Sequence, residues 1–120
     1  MTGTTSRQSF RRFGEEENIV DRFEYFETFT NPGVTSPVHL TGVVVIQLSG
    51  AGTVTATVQH STQDPLGTTV NWTPAEDFNF SGDLTTFSPR VYSERFTGWW
   101  RVNISALSGT ANVSILGSLA

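Results

Sequence analysis

Between residues 98 and 117 the chain alternates apolar and polar side chains with a period of two, a pattern that suits a strand and not a helix. Trp100, Val102 and Ile104 share one face, while Trp99, Arg101, Asn103 and Ser105 share the other. Val113 and Ile115 take up the apolar face again after Ser108 and Gly109, so the stretch predicts two strands joined by a Ser-Gly turn. The same period governs residues 52–60, where Val54, Ala56 and Val58 point one way and Thr53, Thr55, Thr57 and Gln59 the other. Upstream, Val43, Val44, Val45 and Ile46 are apolar on both faces, which predicts a central strand over 40–48 covered on two sides. Gly50, Ala51 and Gly52 predict a turn between these two strands.

Residues 18–29 admit two periods. Ile19, Phe23 and Phe26 fit a helical stripe, and Phe23, Tyr25 and Phe29 fit one face of a strand. The aromatics with Thr28 and Thr30 favour the strand, which Asn31-Pro32-Gly33 then ends. Residues 61–80 are rich in turn formers, with Asp64-Pro65 and Gly67, and Trp72 is expected to anchor the segment in the core. A short strand through Phe78 and Phe80, a turn at Ser81-Gly82-Asp83 and strands over 84–87 and 90–96 complete the pattern. At 120 residues this is one domain with enough chain to bury a core. The expected fold is all-β: an antiparallel β-sandwich or jelly roll of about seven to eight strands over residues 21–120. Residues 1–20 read as an extended N-terminal arm, with Arg7, Arg11 and Arg12 ahead of Glu15, Glu16 and Glu17, and with Phe10 and Phe13 as its large apolar groups.

Composition narrows the functional classes. The chain has no cysteine, so neither a disulfide nor a thiolate metal site supports it. A formal net charge of -4 argues against nucleic acid as a partner, because phosphate binding needs clustered cations. All seven cationic residues are arginine, whose planar fork suits fixed interfaces. No window approaches the length of a membrane span, so no membrane partner is expected. Residues 1–7 lack the apolar run of an export signal. The Asn-x-Ser/Thr sequences at Asn71, Asn79, Asn103 and Asn112 therefore read as chance matches.

The candidate chemical groups are sparse. His60 lies near Ser61 and Asp64, but no nucleophile-elbow sequence accompanies them, so no catalytic residue is assigned. His39 and His60 without a cysteine make a poor zinc set. Asp64, Glu76, Asp77 and Asp83 lack the spacing of a calcium loop and read as turn formers, so no metal or other cofactor is expected. The aromatics Tyr92, Phe96, Trp99 and Trp100 lie close to Arg90, Arg95 and Arg101, and arginine with aromatics is the composition of protein interfaces. By strand parity Trp100 belongs to the core and Trp99 to the opposite face. The candidate partner-binding residues are Arg7, Phe10, Arg11, Arg12 and Phe13 in the arm, with Tyr92, Arg95, Trp99 and Arg101 in the domain.

The threonine-rich strand that begins Thr53-Val54-Thr55 and ends Gln59-His60-Ser61, the Asn71-Trp72-Thr73 that follows a turn, Trp100-Arg101-Val102-Asn103-Ile104 and the closing Val113-Ser114-Ile115 resemble a known family. They are similar to the small β-sandwich domains of tailed-phage virion proteins, most of all capsid decoration (cement) proteins. The resemblance covers residues 40–117, and it departs from the family at Asp64-Pro65-Leu66-Gly67, where an Asp-Gly turn usually stands. It implies a structural protein and not an enzyme, made in the host cytoplasm and carried on the capsid surface of the virion. Its partner would be the major capsid protein, whose subunits it would bridge, and a homo-oligomer, dimer or trimer, would fit that role. A carbohydrate-binding sandwich of a phage tail or fibre is the alternative, with Trp99 and Tyr92 stacking on glycan rings. A neck or tail structural component shares the virion setting.

Overall fold

The computed structural model describes residues 3–13, 20–66, 70–92 and 97–119, and the side chains of all of these except 3–13, 20–22 and 76–78. Seven strands follow one another without a helix among the described residues: β1 (Gly3–Phe13), β2 (Val20–Phe29), β3 (Gly33–Val34), β4 (Val38–Ser61), β5 (Thr73–Asp83), β6 (Arg90–Tyr92) and β7 (Gly98–Leu119). They form one antiparallel sheet in the order β1-β2-β7-β4-β5, with β3 on β7 and β6 on β4.

Two strands dominate it. β4 runs for 24 residues and β7 for 22, and they pair along most of their length. The two turns expected at Gly50-Ala51-Gly52 and at Ser108-Gly109 are therefore not chain reversals. Gly52 lies opposite Gly109, and both strands continue through the crossing. Gly50, Gly52 and Gly109 take φ of 132°, 103° and 105°, a region that L side chains avoid. A Cβ on Gly52 would meet the carbonyl oxygen of Ser108, and one on Gly109 the carbonyl oxygen of Ala51. Glycine is read as a turn signal because it permits positive φ; here that freedom lets two paired strands bend together.

The inward face of β7 changes parity along its length, from Trp100, Val102 and Ile104 to Ala111, Val113 and Ile115. The register explains the switch. Thr55 pairs with Ala106 and Ala56 with Ile104, so Ser105 is an extra residue on β7 and forms a bulge. β4 has no such slip between Val44 and Val58, and Val44, Ile46, Leu48, Val54, Ala56 and Val58 are all buried.

The sheet turns its apolar side in on itself. Residues 98–104 of β7 lie between 33–40 on one side and 56–61 on the other, while residues 111–117 lie between β2 and 45–50. Tyr92 hangs from β6, which pairs with residues 44–46, yet its ring meets Trp100 edge-on with centroids 5.7 Å apart. Buried residues from both ends of the long strands thus join one cluster, with Trp100 as its largest fully buried side chain.

Several expectations are corrected. Val43 and Val45 are half-buried whereas Val44 and Ile46 are fully buried, so this part of β4 is fully covered on one face only. Residues 81–83 close β5, and the reversal comes at 84–86, where the Leu84 N–H donates to the Gly52 carbonyl and the Thr86 N–H to the Asp83 carbonyl. The strand expected over 84–87 is this turn. Trp72 is half-exposed on the outer side of the sheet and not a core anchor. The strand expected before Asn31 is present as β2, with Phe23, Tyr25 and Phe29 buried. Of residues 1–20, read as an extended arm, Gly3–Phe13 form β1, which pairs with β2 from Gly3 opposite Phe29 to Phe13 opposite Val20, while residues 1–2 and 14–19, with Glu15, Glu16 and Glu17, lie outside the described residues.

Candidate interaction face

The outward parity of β7 places Trp99 and Arg101 on the solvent side of the sheet, and the register decides what stands beside them. Trp99 is opposite His39 on one flank and Ser61 on the other, and Arg101 is opposite Gln59. The rings of Trp99 and His39 stack with centroids 4.5 Å apart and planes 8° from parallel. The Arg101 Nε–H donates to Gln59 Oε1 at 2.7 Å, and its guanidinium carbon sits 4.2 Å from the centroid of Trp72. Partial burial lowers the Arg101 pKa from its ordinary value, but a guanidinium remains a cation at neutral pH. Next along the strand pair, Asn103 faces Thr57 and, across β3, Val34, which is exposed. At the other end the hydroxyls of Thr41 and Thr97 meet at 2.9 Å.

Two aromatic rings, an imidazole and one cation are therefore brought into contact across β4, β7 and the segment before β5. Such contacts restrict the rotamers of Trp99 and Arg101, which lowers the entropy cost of docking. The arrangement offers flat apolar area, a guanidinium fixed by Gln59 and Trp72, and hydroxyl and amide groups along the strands, which is recognition chemistry.

The remaining candidates distribute differently. Tyr92, expected on this face, is fully buried against Trp100, because its parity on β6 directs it into the core. Arg90 is also elsewhere: it lies 4.3 Å from the Phe80 ring centroid and donates to the Asn79 carbonyl at 2.8 Å. Arg95 and Phe96 fall outside the described residues. Arg7, Phe10, Arg11, Arg12 and Phe13 stand on β1 opposite Phe26, Phe23, Arg22, Asp21 and Val20 respectively.

No family model, curated protein or solved structure matches this chain. The site is read from its own geometry.

His60, Ser61 and Asp64 form no relay. The His60 ring stands edge-on to Trp100 at 5.2 Å, with Nδ1 3.1 Å from the Thr73 hydroxyl. Ser61 Oγ accepts from the Gln63 N–H and Asp64 Oδ1 from the Leu66 N–H, so each oxygen closes its own short turn. Asp83 does the same, accepting from the N–H and the hydroxyl of Thr85, which holds its carboxyl below the usual range. Among the described residues no group of three or more histidine, cysteine or carboxylate side chains is placed to hold a metal ion.

The parts that sequence reading missed are His39, Gln59 and Trp72. Each lies far along the chain from its partner, and no local signal reports a register.

Proposed function

We propose that this protein is a structural virion protein of the capsid decoration type, which binds the outer surface of a phage shell and stabilises it by bridging major capsid subunits. The virion setting rests on the resemblance of residues 40–117, and the bent sheet is read as the small sandwich of that class, with the Tyr92–Trp100 contact as the meeting of its two layers. The observation that carries a binding role is the prebuilt outer face, with Trp99 stacked on His39 and Arg101 fixed between Gln59 and Trp72. Aromatic and arginine anchors of this kind dominate protein interfaces, and fixing them beforehand lowers the entropy lost on docking. The mechanism needs binding energy alone. A ligand that binds the assembled shell and not its dissociated parts stabilises the shell by mass action, and the effect is repeated at every equivalent site.

The carbohydrate reading requires an open aromatic platform. His39 covers one face of Trp99, and Arg101 lies over Trp72, which favours a protein partner. Trp99→Ala and Arg101→Ala should each leave the circular dichroism spectrum unchanged yet weaken occupancy on virions of the encoding phage, by about 2 kcal/mol if either is a hot spot. Wild-type protein should bind no immobilised glycan. Glycan binding that disappears in Trp99→Ala would overturn the shell-binding reading in favour of the carbohydrate module.

A further inference from the structure

The strands β1 and β5 stand at the two ends of the strand order, and each is 11 residues long. Among the described residues β1 pairs with β2 and β5 with β4, which leaves each with one edge outside any ladder. Such edges are templates for pairing with another chain. Their charges are opposite. β1 carries Arg7, Arg11 and Arg12 and no acid, whereas β5 carries Glu76, Asp77 and Asp83 and no base.

On β2, Phe26 stands opposite Arg7, Arg22 opposite Arg11 and Asp21 opposite Arg12, while Glu24, opposite Ser9, is the diagonal neighbour of both Arg7 and Arg11. On the other end, the ladder between β4 and β5 jumps from Thr57–Asn79 to Gln59–Pro74, so residues 75–78, with Glu76 and Asp77 among them, bow out of the pairing as a bulge. Arg90 donates to the Asn79 carbonyl, and residues 81–83 at the end of that edge are exposed.

We infer that β1 of one copy docks along β5 of a second copy, so that the protein associates head to tail through oppositely charged sheet edges. Contact between two β1 edges or two β5 edges sets like charges together, and only the unlike pair is attractive. A contact between two different surfaces is heterologous. It generates a closed ring, of which a reciprocal pair is the smallest, or an open chain. The inference refines the shell-bridging reading by giving β1 a neighbouring copy as its partner, but its evidence is the strand order and charge alone, and it is tested with no shell present.

Sedimentation velocity of the purified full chain is the test. Association should rise with protein concentration at about 0.01 M salt and weaken at least roughly tenfold towards about 1 M, where the Debye length falls from about 30 Å to about 3 Å. The double variant Arg7→Glu, Arg11→Glu carries two acidic edges, and the double variant Glu76→Arg, Asp77→Arg carries two basic ones. Each should remain monomeric alone, and an equimolar mixture should assemble. The salt response of wild type decides the matter even if a variant fails to fold. A monomer at every salt concentration, salt-insensitive association, or folded variants whose mixture associates no more than its components would overturn the inference. Retained solution assembly with no binding to virions would instead refute the shell-binding reading and leave this one standing.

Discussion

A tyrosine and a glutamate two residues apart on β2 both face the core. Tyr25 is 1% exposed and Glu27 8%, and the Tyr25 hydroxyl donates to Glu27 Oε1 at 2.5 Å while accepting from the Ser36 N–H. Burial, reinforced by the bond to Glu27, raises the Tyr25 pKa above its ordinary 10.0. The native state then retains a proton that the unfolded chain releases. Its contribution is whole below about pH 10 and is lost as pH climbs through the raised value. Urea unfolding across this range should show stability falling with pH, with a shallower fall in Tyr25→Phe. That variant will also be less stable overall, since it leaves a buried carboxylate short of a donor. An identical slope in the two proteins would remove Tyr25 from the account.

Glycine acts at the scale of the element through the crossing of β4 and β7. Gly52 and Gly109 are cross-strand partners, each with positive φ and each with a carbonyl oxygen of the other strand where a side chain would begin. Gly52→Ala and Gly109→Ala should each cost more than about 2 kcal/mol, combining backbone strain with separation of the ladder. Either substitution opens the same crossing, so the double variant should fall short of the sum of the singles in chemical denaturation. Gly42 makes a useful contrast. It also has positive φ, at 78°, but a Cβ there meets nothing within 4 Å, so Gly42→Ala should bear the strain without the collision.

Across the whole molecule the ladders join distant parts of the chain: His39 and Ser61 both flank Trp99, and Phe23 lies opposite Gly117. Loops of this length must close before their contacts give any return. Refolding followed by tryptophan fluorescence should therefore take milliseconds to seconds, on the order seen for non-local β topologies, and a microsecond phase carrying the full amplitude would contradict it. The same topology concentrates recognition on the outside. Residues 99–103 present Trp99, Arg101 and Asn103 outward while Trp100 and Val102 secure the strand from within. Binding surface and core anchor are thus alternate residues of one element.

The period of two in residues 52–60 and 98–117 determined the all-β class and which side chains face inward, because backbone pleating alone sends successive side chains to opposite faces. Parity separated Trp99 from Trp100 without any knowledge of the sheet. Pairing is different, because hydrogen bonds between strands depend on which segments meet in space. Gly50-Ala51-Gly52 and Ser108-Gly109 carry the same local permission for a reversal or a bend, and their placement opposite one another in the β4–β7 ladder decided for the bend. Tyr92 and Trp72 exchanged their expected places because the short strand β6 has no parity until its neighbour is known, and Trp72, just before β5, has no strand period to place it. The outer face was half legible: Trp99 and Arg101 could be read from alternation, whereas His39, Gln59 and Trp72 joined them only through a register set by tertiary structure.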